Sequence, residues 1–133
     1  MRPDAFGFGG EPALADELAT LVLAGRKRAT TSLPVEYASL EERLPTSGDL
    51  SVVVRGDGRP VALIERTHVE CVPFGEVGED YAAVEGEGDG TLGYWREAHA
   101  QYFTNVCVRL GGDFDEHTRV LCQMFQVIWT ARG

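Results

Sequence analysis

The chain has 133 residues, 12 Lys and Arg against 21 Asp and Glu, and a formal charge of −9. Its size fits one compact domain over residues 1–133, and a composition 44% hydrophobic and 25% charged fits a globular protein rather than a disordered one. The acid excess excludes a broadly basic nucleic-acid coat, which needs clustered Lys and Arg, but leaves room for a local basic patch.

Residues 1–10 carry no apolar segment of a secretory signal, and no apolar run approaches the ~20 residues of a membrane span. The three cysteines, Cys71, Cys107 and Cys122, are odd in number and unpaired in spacing. Both features predict a cytoplasmic protein that makes no membrane contact.

The spacing of Leu14, Leu18, Leu21 and Val22 predicts a first helix over residues 12–24, with Pro12 in its first turn and Gly25 at its stop. A basic, polar and extended run follows from Arg26 to Ser32. Pro34 opens a short helix over residues 34–42, and residues 45–49 form a turn. Residues 50–55 and 61–72 read as strands of a hairpin around Gly56-Asp57-Gly58. Residues 74–90 are irregular, with a helical turn near Tyr81. A long helix is predicted over 91–106, and a central strand over the nearly continuous apolar run 120–129. Helices mixed with a mostly antiparallel, curled sheet make an α+β domain.

Three stretches carry candidate chemistry. The first is Gly25-Arg26-Lys27-Arg28-Ala29-Thr30, which gathers three of the twelve basic residues. The simplest account is cations placed favourably at a helix C-terminus. Lys27 and Thr30 are three apart, so on a regular strand they face opposite ways and converge only if the chain turns between them. Flanking Arg26 and Arg28, together with burial, are expected to lower the Lys27 pKa and fit it to act as a base or grip an anionic oxygen.

The second stretch is Val84-Glu85-Gly86-Glu87-Gly88-Asp89-Gly90. Its simplest account is an acidic loop in which Asp89 or Thr91 caps the next helix. It lacks the ligand spacing of an EF-hand. In the functional account a carboxylate, Glu85 with Glu87 as its competitor, meets the Lys27 cluster. The third stretch is Tyr94-Trp95-Arg96-Glu97-Ala98-His99, whose aromatic and Arg side chains can stack on a base. Trp95 and His99, four apart, more simply serve one packed helix face. His68, Cys71, His99 and His117 form no CxxC, HxxxH or HExxH, so neither a metal nor another cofactor is expected.

Taken in order, these stretches resemble the ASCH superfamily. The centre of the likeness is Gly25-x-Lys27-x-x-Thr30 after a helix. Around it stand Phe8-Gly9, Ala15-Asp16-Glu17-Leu18-Ala19, Thr31-Ser32, Gly48-Asp49, Glu85-Gly86-Glu87-Gly88-Asp89, Leu92-x-x-Trp95-Arg96-x-x-His99 and Cys122-x-x-Phe125. Stand-alone bacterial members look similar along almost the whole chain. The resemblance implies a PUA-like, mostly antiparallel β-barrel with helices packed around a cleft, and a role with a nucleoside or short RNA. One small bacterial branch removes the acetyl group from N4-acetylcytidine with a Lys, a Thr and a Glu. Carried over, these are Lys27, Thr30 and Glu85 as catalytic residues. Arg26, Arg28, Thr31, Glu87, Tyr94, Trp95 and Arg96 are then the substrate-binding candidates. The alternatives are a non-catalytic RNA-binding module and a ribonuclease, the latter with Glu85, Glu87 and Asp89 gathering a metal ion.

Overall fold

The computed structural model describes residues 4–6 and 12–131, so the Phe8-Gly9 element of the resemblance lies outside the described residues. In chain order the elements are β1 (Asp4–Phe6), α1 (Pro12–Leu23), β2 (Ala29–Ser32), α2 (Pro34–Ser39), β3 (Leu50–Val54), β4 (Pro60–Pro73), a 3-10 turn (Phe74–Glu76), α3 (Glu79–Glu85), α4 (Leu92–Arg109) and β5 (Arg119–Thr130). The fold is α+β, as expected. The strands form one curled sheet in the order β1-β3-β4-β5-β2. Neighbours are antiparallel except β1 and β3, which run parallel. As predicted for its apolar run, β5 is paired on both sides.

The sheet has a helical cover on each face, and each face has its own core. On one face α1 sets Leu18, Ala19 and Val22 against Val53, Ala62, Ile64 and Phe125. The buried stripe of α1 is Ala15, Leu18, Ala19 and Val22, whereas Leu14 is 37% exposed. The small alanines, rather than Leu14, let the helix lie close to the strands. On the other face α3 and α4 bring Ala82, Trp95, Phe103, Val106 and Cys107 onto Val120 and Cys122.

β4 serves both cores because its register slips. Arg66 stands opposite Phe125 and His68 opposite Met124, which leaves Thr67 as an extra residue. A one-residue slip exchanges the faces of a strand. Upstream, Ala62 and Ile64 therefore face α1; downstream, Val72 packs with the α3 and α4 core.

Several boundaries differ from expectation. The second helix stops at Ser39 rather than 42, and residues 79–85 form a complete helix rather than one turn. β1 is added, at three residues too short for a periodic signal. Two helix ends decide where the chemistry falls. α1 ends in a Schellman motif, with Gly25 at φ 78°, its N–H bonding Val22 O and the Arg26 N–H bonding Leu21 O. α3 ends at Gly86, also left-handed at φ 69°.

The α4 face of the core supplies a test. Phe103→Ala should lower the unfolding free energy by about 3–5 kcal/mol in urea titration, as expected for emptying a packed aromatic site. Val108→Ala on the same helix, 67% exposed, should change it by less than about 0.5 kcal/mol.

Candidate active site

Gly25 turns the chain out of α1 and directs Lys27 inward, leaving Arg26 and Arg28 exposed. The Arg28 N–H then bonds Val84 O at 2.8 Å, which ties this turn to the end of α3. Lys27 is 1% exposed and Glu85 is fully buried. The Lys27 ammonium donates to Ala29 O at 2.7 Å, to Glu85 Oε1 at 2.9 Å and to Glu87 Oε2 at 2.9 Å. Its three N–H bonds are thus accounted for.

Glu85 is held from several sides. Its Oε2 accepts from the Thr31 hydroxyl at 2.6 Å and from the Trp95 indole N–H at 2.6 Å. His99 Nε2 stands 3.4 Å from the same oxygen, and His99 Nδ1 stands 2.9 Å from Trp95 O. The His99 ring stacks on Trp95 at 4.4 Å. Tyr81 braces the strand beside them by donating to Thr30 O at 2.7 Å and meeting the Thr31 hydroxyl at 3.0 Å. Burial and the Glu85 charge keep that phenol well above its ordinary pKa, hence neutral.

The charges fix one another. Burial alone would lower the Lys27 pKa, but Glu85 and Glu87 outweigh it and hold the pKa above its ordinary value. The expected lowering is therefore reversed: the flanking arginines point to solvent, while two carboxylates 58 and 60 residues away contact the ammonium. Burial opposes ionisation of Glu85 too, yet Lys27 and His99 keep it well below the usual carboxylate range. Glu87 goes the other way. Burial and its neighbour Glu85 raise it despite Lys27. Its side chain is also the open edge of the cluster, 19% exposed against 1% for Glu85.

The glycines around Glu87 are required by space. A Cβ on Gly86 would lie 2.0 Å from Arg26 O, and one on Gly88 would lie 2.4 Å from the Tyr94 ring. Gly86, Gly88 and Gly90 all have positive φ. Asp89 turns away from the cluster and accepts from Thr91 N and Oγ1, while Thr91 accepts from Tyr94 N as the α4 cap. The three acids therefore do not gather one ion. Glu85, Glu87 and His99 do place ligand atoms within 4.8 Å of one another. The cation that both carboxylates hold is the Lys27 ammonium.

The site candidates thus separate. Lys27, Glu85, Glu87 and Thr31 come together. Thr30 contributes its carbonyl. Its hydroxyl lies on the other face of the regular strand β2 and has no hydrogen-bond partner among the described residues. That face carries a second polar network. Arg66 donates to Gln123 Oε1 at 2.6 Å and to Ser51 Oγ at 2.7 Å, and Gln123 donates to Ser32 Oγ at 2.8 Å. Trp95, 2% exposed, lies beneath the cluster and offers no open face to a base. Tyr94 is exposed over Gly88. Arg96 is spent on Gly75 O and Val77 O, away from Lys27. Cys122, pushed up to about 12 chiefly by burial, is no thiolate nucleophile. His99 and Tyr81 are the members that spacing did not reveal, because only the packing of α3 on α4 brings them in.

The profile of the ASCH domain family matches residues 4–129, and the chain belongs to that family. Two solved structures superpose closely. The ASCH domain from Lactobacillus crispatus JV V101 is 40% identical, with a TM-score of 0.88, over 93% of this chain and 78% of that one. Protein EF3133 from Enterococcus faecalis V583 is 36% identical, with a TM-score of 0.88, over 96% of this chain and 77% of that one. A comparison with curated proteins gave no match. Among the described residues, no helix is long and apolar enough to cross a membrane.

Two variants test the cluster. Glu85→Ala leaves Lys27 buried without the more deeply buried of its two countercharges and should cost about 3–5 kcal/mol of stability by urea denaturation. The Glu85 contribution is complete above its ordinary pKa of 4.5 and is lost as pH falls through the depressed native value. The variant should therefore lose stability less steeply than the wild type on acidification below that range. Gly86→Ala should also destabilise, since both its φ and its Cβ are disallowed; a variant as stable as the wild type would refute this packing of the Glu87 loop.

Proposed function

We propose that the domain is a hydrolase that cleaves an amide-type group from a modified nucleoside, with N4-acetylcytidine as the type substrate. The observation that supports this most is the buried Lys27 ammonium shared between an anchored carboxylate, Glu85, and a more open one with a raised pKa, Glu87. A carboxyl whose pKa is raised takes up and returns a proton more readily than one saturated with donors.

In this reading water adds to the acyl carbon, and Glu87 takes its proton. As Glu87 becomes neutral it loosens its hold on Lys27, and the ammonium turns that N–H to the oxyanion that forms. The C–N bond then breaks, Glu87 returns the proton to the leaving amine, and the products are the free carboxylic acid and the unmodified base. Glu85 keeps Lys27 charged and in place rather than handling the leaving amine. Of the two threonines, Thr31 is the hydroxyl bonded to Glu85, and it orients that carboxylate. Exposed Arg26 and Arg28 draw anionic groups of a nucleotide or short RNA to the entrance.

Turnover of N4-acetylcytidine and other acylated nucleosides tests this. Glu87→Gln and Lys27→Met should each lose about 100-fold or more in kcat, the scale of a lost proton carrier or oxyanion partner. Thr31→Val should be impaired more than Thr30→Val; the reverse result would return the hydroxyl role to Thr30. No turnover of any acylated nucleoside by the wild type would overturn the reaction class.

A further inference from the structure

His99 sits in a geometry that leaves its protonation little freedom. Its Nδ1 lies 2.9 Å from Trp95 O, a backbone carbonyl that only accepts, so Nδ1 carries a hydrogen. Its Nε2 lies 3.4 Å from Glu85 Oε2. That carboxylate already accepts from Lys27, Thr31 and Trp95, so it is ionised and cannot donate back. Nε2 therefore faces an anion that can only accept, a setting that favours a hydrogen there too and with it a cationic ring.

We propose that His99 is the second cation of the site. It is a positioning residue that acts through Glu85: it completes a cluster of two cations, Lys27 and His99, and two anions, Glu85 and Glu87. Without the His99 charge the cluster would carry a net charge of −1, which favours a proton on the more open carboxyl, Glu87. His99 thereby sets the pH at which Glu87 is free to accept one. The role assigned to Glu87 in hydrolysis rests on the reading above; the charge state of His99 does not.

The surroundings agree. The charged groups facing the ring are Glu85 from α3 and Glu87 from the following loop, with Lys27 behind them. Tyr81 of α3 lies across Trp95, and Phe103 covers another side with an uncharged ring. Burial opposes the cation, but the two carboxylates and the Trp95 carbonyl outweigh it and raise the His99 pKa above 6.5. A raised pKa contributes stability that is complete below the ordinary value and is lost as pH climbs through the native one.

The test is a pH titration of the full chain, labelled with ¹⁵N in histidine and ¹³C in the glutamate carboxyls, followed by NMR. Both His99 ring nitrogens should keep their hydrogens up to a midpoint above 6.5. A midpoint at or below 6.5 would overturn the proposal. In His99→Gln, which keeps a neutral donor toward Glu85, the Glu87 midpoint should move upward; an unchanged midpoint in a folded variant would also overturn it. If His99→Gln does not fold, the wild-type titration alone decides. Neither readout requires turnover, so failure of the hydrolase reading and failure of this one are separable. Where turnover is found, His99→Gln should shift the pH dependence of kcat/KM upward, a change that loss of packing alone does not produce.

Discussion

A lysine ammonium buried to 1% exposure has to be answered by charge, because an isolated buried ion costs far more than a small domain can supply. The bond between Lys27 and Glu85 is that answer, and much of the local architecture serves it. Gly25 turns the chain inward after α1, and Gly86 ends α3 against Arg26 O, so two helix termini meet where the two charges do. Thr31, Trp95 and His99 complete the shell of Glu85. Among the described residues no buried side-chain nitrogen or oxygen lacks a hydrogen-bond partner. A pair this deep is weak evidence for stability as such. It is better understood as holding a charged arrangement that hydrophobic packing would otherwise close.

The larger elements were legible because their signals are local. Helical spacing marked α1 and α4, the Gly56-Asp57-Gly58 turn marked the β3–β4 hairpin, and an unbroken apolar run marked β5. The motif from Gly25 to Thr30 was legible too, along with the competition between Glu85 and Glu87. What was not legible depends on partners far along the chain. Arg26 and Arg28 suggested a lowered Lys27 pKa, yet the groups that determine it lie about sixty residues away and reverse the sign. Thr30 and Thr31 are indistinguishable by composition, and only the alternation of β2 separates them. Trp95 read more simply as core than as a base platform, and core it is; the hydrogen bond it makes to Glu85 is visible only once α4 packs on α3.

The net charge of −9 takes on a different meaning in the fold. Lys27 offsets one of the two carboxylates it holds, so nearly all of the acid excess lies outside the site. Arg26 and Arg28 remain outside as a small positive mark next to a buried, neutralised centre. That distribution suits a small ligand or a single presented nucleotide more than a long polyanion. Membership of the ASCH family does not choose among chemistries by itself, since one fold hosts several. The asymmetry between Glu85 and Glu87 is what favours a proton-moving site over a purely structural pair.

The slip at Thr67 has a consequence for how this domain can vary. Thr67 is exposed, and a substitution there meets little resistance from neighbours. Deleting it is a different matter. Every residue of β4 beyond it would exchange faces: Val72 would leave the α3 and α4 core, and Glu70 and the residues around it would be re-sorted between water and interior. Length changes in this family should therefore collect in the connections between elements, and the count of residues along β4 should be conserved more strictly than their identities.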